Sequence, residues 1–238
     1  MRKIFGAILV TLALMSAAYA QMTPKEAASH LEKSVVAMQK TWSDPFCTGF
    51  KIDTKVFLTA AHCASDVNND TRLTSKYSEK YQFIRSVLRT TQEKKDGDRV
   101  EDWAIMNTVE ENDELSALVL ACDEEIYLGM PIAYAGYPAP MDFAFGIGTV
   151  MSLNKVKNRS NDLDFVVDLQ AAPGASGSPI ISLDTGNVIG ILTEGVYASR
   201  AGAFGVGIEG IANLDLCEDL FKTNGARAPD LPNLYDPF

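Results

Sequence analysis

The sequence predicts an all-β fold of the sandwich or barrel type, with one helix near each end of the chain. Short apolar or alternating segments recur, and glycines, prolines and polar clusters separate them. A hairpin signal, Asp184-Thr185-Gly186-Asn187, stands between the last two of these segments. The predicted strands are 34–38, 49–52, 56–59, 81–88, 103–106, 132–135, 146–151, 165–169, 179–183 and 188–193.

Two segments have helical features. Thr23 can cap a helix that starts at Pro24, and Glu26 completes a capping box, so we predict a helix that ends before Val35. Residues 211–222 place their apolar side chains largely on one side, which predicts a second helix. A GxGxxG pattern at 205–210 is interpreted as a strand edge, because the short, proline-containing chain after it cannot supply the βαβ unit of a dinucleotide site.

The composition is that of an acidic globular protein. The chain has 238 residues, and 21 Lys and Arg stand against 31 Asp and Glu, which gives a formal net charge of −10. Hydrophobic residues make up 47% and charged residues 22%, and the length allows one or two domains. Proteins that bind phosphate backbones need excess positive charge, so nucleic acid is excluded as a partner.

Residues 1–20 have the pattern of a secretory signal peptide. Arg2 and Lys3 precede an apolar run that is short for a membrane span, and Ala18-Tyr19-Ala20 forms a small-x-small cleavage site. The mature chain is expected to start near Gln21 and to be secreted or periplasmic, without a membrane anchor after cleavage. The alternative, an uncleaved N-terminal anchor, is disfavoured because no stop-transfer pattern follows.

Four cysteines become informative if the chain is exported. Two disulfides among Cys47, Cys63, Cys122 and Cys217 allow three connectivities, and Cys47 with Cys63 and Cys122 with Cys217 is the simplest. Free buried thiols are the alternative in a reducing compartment. No two cysteines are spaced as CxxC and the chain has two histidines, so no structural zinc site is predicted.

Three segments contain the residue types that hydrolysis by a nucleophilic side chain requires. TAAHC (59–63) follows an apolar strand, EDWAI (101–105) begins another, and PGASGSP (173–179) precedes a third. A serine hydroxyl needs a base, a neutral imidazole can accept its proton, and a buried carboxylate can fix the imidazole tautomer. These roles are assigned to Ser176, His62 and Asp102. The small residues around the serine permit a tight turn, in which the N–H groups of Gly174 and Ser176 form an oxyanion hole.

Other residues could be assigned these roles. The competitors are His30 on the N-terminal helix, Ser178 for the nucleophile, and Asp96, Asp98 and Glu101 for the carboxylate. The three acidic residues belong to a charged, solvated run, whereas Asp102 directly enters an apolar strand. Cys63 is disfavoured as a nucleophile, because residues adjacent on a strand point to opposite faces.

The motifs TAAHC, DWAI and GASGSP, in this order, resemble the trypsin/chymotrypsin-like serine endopeptidases. Gly136-Tyr137-Pro138 and Asp168-Leu169 most resemble the bacterial glutamyl endopeptidase branch. The resemblance implies two antiparallel β-barrels with a C-terminal helix and a site in the cleft between them. It implies an N-terminal segment and first barrel over 21–120, and a second barrel, helix and tail over 121–238. It also implies the Cys47–Cys63 and Cys122–Cys217 bridges and a polypeptide substrate. We expect a monomer, and no metal or organic cofactor is implied.

The sequence departs from the family at positions that set activation and specificity. Ala175 stands where trypsins have the aspartate that binds a newly cut N-terminus, which argues against that activation. Gln170 stands at the base of the specificity pocket, and Leu192 replaces the histidine of glutamyl endopeptidases, so neither a Lys/Arg nor a Glu preference is expected. The residues expected to line the pocket are Gln170, Ala171, Thr193, Glu194 and Gly195. An uncharged or apolar residue before the cut is favoured, although Glu194 could change that.

The sequence therefore predicts a secreted serine endopeptidase that acts through an acyl-enzyme. A binding module on the same fold, catalytically silent, is the first alternative, because fold alone does not determine function. An esterase that cleaves small esters but no polypeptide is the second. With an ordinary histidine pKa, activity is expected to rise between about pH 6 and 8.

Overall fold

Two closed antiparallel barrels of six strands each form the framework. They are seen in a computed structural model that describes residues 21–41, 43–90, 102–153, 156–157, 162–198, 202–211 and 217. The helices are α1 (Pro24–Glu32) and α2 (Ala61–Ala64). The strands are β1 (Val35–Lys40), β2 (Cys47–Asp53), β3 (Val56–Thr59), β4 (Thr71–Thr74), β5 (Gln82–Thr90), β6 (Ala104–Thr108), β7 (Pro131–Gly136), β8 (Ala144–Ser152), β9 (Val156–Lys157), β10 (Asp162–Leu163), β11 (Phe165–Val167), β12 (Pro179–Ser182), β13 (Val188–Ala198) and β14 (Gly202–Gly210).

Strand order shows how each barrel closes. The first barrel runs β1-β2-β3-β6-β5-β4 and the second β11-β14-β13-β12-β7-β8, while β9 and β10 form a separate two-stranded sheet. β4 pairs with β1 and β8 pairs with β11, so neither barrel leaves an open edge around its circumference. The double-barrel fold that the resemblance implied is confirmed.

The N-terminal helix begins as the sequence predicts. Thr23 accepts a hydrogen bond from the N–H of Glu26 at 3.3 Å, and the Glu26 carboxylate accepts one from the N–H of Thr23 at 2.9 Å. These reciprocal bonds satisfy donors that a helix start otherwise leaves without partners. α1 then buries Ala27 and Leu31 and packs against β7 of the second barrel.

A single apolar cluster connects the two barrels. It includes Phe50 and Trp103 from the first barrel and Ile181 and Ile191 from the second, each buried. Burying one such side chain contributes about 1.5–3 kcal/mol. The two barrels therefore share a core, which holds residues of both barrels in fixed positions.

Both predicted disulfides are present. Cys47 on β2 is bonded to Cys63 on α2, 16 residues away, and Cys122 is bonded to Cys217, 95 residues away. The shorter loop corresponds to about 3 kcal/mol in a chain-entropy estimate. The first bridge ties the helical turn α2 to the adjacent barrel strand.

The structure adds elements that the sequence did not predict. β4, β9 and β10 are new, and the glycine-rich segment at 205–210 lies within the full strand β14. α2 is also new, because four residues cannot display a helical period. The predicted C-terminal helix over 211–222 lies outside the described residues, apart from Ile211 and Cys217.

Candidate active site

His62 lies on the helical turn α2, directly after β3. Its side chain is 41% exposed, whereas the neighbouring Cys63 is fully buried in its bridge to Cys47. The sequence interpretation placed His62 and Cys63 on a strand, and that is wrong. Cys63 is unavailable as a nucleophile for a different reason, since its sulfur is held in a disulfide.

Asp102 binds His62 at two points. One carboxylate oxygen accepts the ring Nδ1–H at 2.7 Å, and the other accepts the main-chain N–H of His62 at 2.9 Å. The Asp102 side chain is 2% exposed. β3 pairs with β6 so that Thr59 faces Ala104, and this register brings residues 61 and 102 together. The contact leaves Nε2 of the half-exposed imidazole facing away from Asp102, as a base requires.

The charges around the imidazole set its proton affinity. Burial lowers the pKa of His62, but the hydrogen bond and charge of Asp102 outweigh it, together with the negative charges of Glu194 and Asp66. The pKa of His62 is therefore raised above the ordinary histidine value. Three carboxylates act on this ring, and Asp102 is hydrogen-bonded to it.

Ser176 lies on a tight turn before β12, here called the nucleophile turn (residues 173–178). Gly174 and Gly177 have φ values of +96° and +86°, which side chains rarely tolerate. A Cβ on Gly177 would lie 2.0 Å from the carbonyl oxygen of Thr48, and one on Gly174 would lie 2.5 Å from that of Tyr137. The two glycines of GASGSP are thus required by both backbone conformation and space.

The Ser176 hydroxyl points to β13. Its Oγ donates to the carbonyl oxygen of Thr193 at 3.2 Å, and within the described part of the chain it makes no hydrogen bond to His62. Catalytic hydrogen bonds are often unformed without substrate. For His62 to accept the proton of Ser176, the hydroxyl would have to give up its hydrogen bond to Thr193.

Peptide orientation places two N–H groups beside Ser176. The C=O and N–H of a trans peptide point in opposite directions. The carbonyl of Pro173 accepts a hydrogen bond from Ala139 at 2.8 Å, so the N–H of Gly174 points away from Ala139. The carbonyl of Ala175 likewise accepts from an N–H three residues later at 3.0 Å, which turns the N–H of Ser176 the other way. Among the described residues, neither N–H donates to a protein acceptor, so both remain available to an oxyanion.

The residues expected to line the specificity pocket differ in accessibility. Gln170 and Ala171 are exposed, and Glu194 and Gly195 are partly exposed. The Thr193 side chain is buried and donates to the carbonyl of Gly207 at 3.2 Å, so Thr193 contacts Ser176 through its main-chain carbonyl.

The alternative site residues are placed less favourably. Ser178 is fully buried, so no substrate reaches its hydroxyl. Asp96, Asp98 and Glu101 lie outside the described residues. A ring nitrogen of His62 lies within 4.8 Å of the sulfurs of Cys47 and Cys63, but disulfide sulfurs are not the thiolates that bind metals. None of the described helices is long and apolar enough to span a membrane.

Sequence reasoning missed Thr48 on β2. Its Oγ1 donates to the carbonyl of Gly174 at 2.8 Å and accepts the N–H of Tyr137 at 2.9 Å. The partners lie far away in sequence, so no local pattern signals this contact. The position of Thr48 directly after Cys47 was the one available indication that it lies near the site.

The family model described as the trypsin-like peptidase domain matches residues 47–191, which is more than half of the chain. The chain belongs to the trypsin-like peptidase family. One curated relative of this trypsin-like peptidase is the "Probable periplasmic serine endoprotease DegP-like" of Halomonas elongata, 30% identical over 95 residues. The match covers 40% of this chain and 20% of the relative, so the chain spans about a fifth of the length of that protein.

Solved structures share the double-barrel fold. The HtrA-type protease AlgW with a decapeptide has a TM-score of 0.63 and 17% identity, and the match covers 85% of this chain and 67% of AlgW. The active form of the Rv3671c protease from M. tuberculosis has a TM-score of 0.61 and 20% identity, with 76% of this chain and 78% of that chain covered. These relatives do not confirm the glutamyl endopeptidase branch, which stays a prediction.

Proposed function

We propose that this trypsin-like peptidase is an exported serine endopeptidase that cleaves polypeptides through an acyl-enzyme. The observation that supports the proposal most is the two-point contact of Asp102 with His62, beside a serine turn with two available N–H groups. Burying a carboxylate is costly, and a buried carboxylate that fixes an imidazole near a serine is the arrangement that activates the serine in a catalytic triad. The two disulfides and the signal-like residues 1–20 support export.

The residues act one after another during one turnover. Ser176 Oγ rotates towards His62, loses its proton to Nε2 and attacks the scissile carbonyl. The N–H groups of Gly174 and Ser176 stabilise the negative charge on the carbonyl oxygen, while Asp102 stabilises the imidazolium. His62 then protonates the leaving amine. A water molecule, deprotonated by His62, hydrolyses the acyl-enzyme and restores Ser176.

The substrate is proposed to add as a strand to β13. Pairing between β13 and β12 ends at Ile191, whereas pairing with β14 continues to Ala198. Residues 193–195 therefore present a backbone edge on the side of Ser176, and β-augmentation of such an edge is a common way to bind an extended peptide. Gln170 and Ala171, both exposed, form the opposite wall of the pocket in this proposal.

Digestion of an unfolded polypeptide tests the proposed function. The purified protein is expected to convert reduced, alkylated casein to peptides, and Ser176→Ala is expected to leave casein intact. Mass spectrometry of the peptides would also show which residue is preferred immediately before the cleaved bond. Hydrolysis of a small ester without cleavage of casein would favour an esterase, and no hydrolysis of either would favour a silent binding module.

The pH dependence of the reaction is expected to reflect the charges around His62. The base must be neutral to act, and the pKa of His62 is raised, so kcat/KM should rise through a midpoint above the ordinary histidine value of about 6.5. Removing a nearby negative charge destabilises the imidazolium, so Glu194→Gln and Asp66→Asn should each move that midpoint to lower pH. The measurement is kcat/KM on a neutral peptide from about pH 5 to 9. A midpoint that both variants leave unmoved would contradict this electrostatic account.

A further inference from the structure

Thr48 connects the first barrel to the nucleophile turn by two hydrogen bonds and to Tyr137 by a third. Its side chain is fully buried on β2. The hydroxyl donates to the carbonyl of Gly174 at 2.8 Å and accepts the N–H of Tyr137 at 2.9 Å. The main-chain N–H of Thr48 donates to the carbonyl of Ser176 at 2.8 Å. One residue of the first barrel thus binds two carbonyls of the turn and the segment that runs beside it.

We infer that Thr48 is a positioning residue, whose hydroxyl holds the nucleophile turn so that the N–H groups of Gly174 and Ser176 face the oxyanion. The inference rests on the proposed function, because an oxyanion forms only if the chain is a hydrolase. Thr48 contacts neither substrate nor the reacting atoms. It acts through the backbone of Gly174 and Tyr137.

The contacts of Thr48 control the peptide that supplies the first oxyanion donor. Tyr137 is held by the Thr48 hydroxyl, and two residues later Ala139 donates to the carbonyl of Pro173 at 2.8 Å. That carbonyl belongs to the same peptide unit as the N–H of Gly174. Thr48 therefore fixes the peptide on one side of Gly174 through Tyr137, and the peptide on the other side directly through the Gly174 carbonyl.

The surroundings of the Thr48 hydroxyl are tightly packed, and the buried Ser178 hydroxyl lies close to it. A Cβ on Gly136 would lie 2.9 Å from Thr48 Oγ1, and one on Gly174 would lie 2.5 Å from the carbonyl oxygen of Tyr137, so the region is closely packed. Without the hydroxyl, the N–H of Tyr137 and the carbonyl of Gly174 would both lose their buried hydrogen bond to Thr48. The backbone of glycine is freer to rotate than that of any other residue type, so the turn is expected to relax at Gly174.

The hydroxyl can be removed without moving the rest of Thr48. The Thr59 hydroxyl donates to the carbonyl of Thr48 at 2.7 Å, and the Thr48 N–H bond to Ser176 involves main chain alone. Valine has the shape of threonine, so Thr48→Val deletes the two side-chain hydrogen bonds. Thr48→Ser keeps them and removes only a methyl group.

The experiment compares Thr48→Val with Thr48→Ser and with Thr108→Val. Thr108 is a matched control, since it is a buried threonine on β6 whose hydroxyl donates to the carbonyl of Glu110 at 2.8 Å, away from the site. Thr48→Val is expected to lower kcat on a peptide amide by about tenfold to a hundredfold with little change in KM, as for a weakened oxyanion donor. Its affinity for a peptide boronic acid, which forms a tetrahedral adduct on Ser176, should fall by a similar factor. Thr48→Ser and Thr108→Val should retain kcat and boronic-acid affinity.

The outcomes separate a positioning role from a structural one. A folded Thr48→Val that loses thermal stability but keeps kcat and boronic-acid affinity would overturn the inference. If Thr48→Val does not fold, Thr48→Ser decides, because a folded serine variant that loses kcat more than about tenfold contradicts a role for the hydroxyl. Failure of the unmodified protein to hydrolyse any peptide would instead overturn the proposed function, and the inference with it.

Discussion

Replacement of either Ser176 or His62 by alanine is expected to lower kcat on a peptide amide by roughly a million-fold. The two residues form one unit, because the serine is a poor nucleophile without the base and the base has no proton to accept without the serine. The double variant should therefore be no slower than either single variant. The measurement is single-turnover hydrolysis of a fluorogenic peptide by the three variants.

Ser178→Ala is the matched control for the serine. Its hydroxyl is two residues from Ser176 in sequence but fully buried, so kcat is expected to stay near that of the unmodified protein. Additive losses in the double variant would show that Ser176 and His62 act independently. That result, or a Ser178 variant as inactive as the Ser176 variant, would contradict the assignment.

Asp102→Asn is expected to lower kcat at neutral pH by roughly 10,000-fold while the fold is retained. An amide can donate its N–H to Nδ1, which places the imidazole proton on Nε2 and prevents His62 from accepting the proton of Ser176. The same substitution changes no side-chain volume in the buried site. The measurement combines peptide hydrolysis with circular dichroism to verify folding.

Asp66→Asn provides the comparison for this charge change. Asp66 is exposed and also raises the pKa of His62, but it forms no hydrogen bond with the ring in the described structure. We expect it to keep nearly all of its kcat at pH values where the base is neutral. If Asp66→Asn and Asp102→Asn were equally slow, charge alone would be the cause, and the tautomer explanation would be wrong.

Local patterns were sufficient to predict most of the barrels. β3 was predicted with its observed bounds, 56–59, because a run of apolar residues between turn signals needs no distant information. β4 was missed because the segment TRLT is short and polar, and its place in the sheet depends on pairing with β1 and β5. The burial of Lys51 on β2 also depends on distant residues. Its ammonium group donates to the carbonyls of Asn112 and Leu115, and no local pattern signals these contacts.

The sequence could predict those site residues that belong to a short motif and whose side chains have a known chemical role. The structure brings His62 and Asp102 together, and the positive φ values of Gly174 and Gly177 explain the two glycines near Ser176. Thr48 could not be predicted, because its bond to Gly174 spans 126 residues and depends on how the two barrels pack. The electrostatic influence of Glu194 on His62 likewise depends on their positions in the folded protein, and their separation in the sequence does not predict it.

Labelling with a fluorophosphonate tests the central claim most directly. This reagent phosphonylates a serine only where a base activates the hydroxyl and N–H donors stabilise the adduct. Intact-mass analysis is predicted to show one adduct on the unmodified protein, none on Ser176→Ala, and one on Ser178→Ala. An unmodified protein that takes up no reagent, or a Ser176→Ala variant that is labelled as fully as the unmodified protein, would contradict the account.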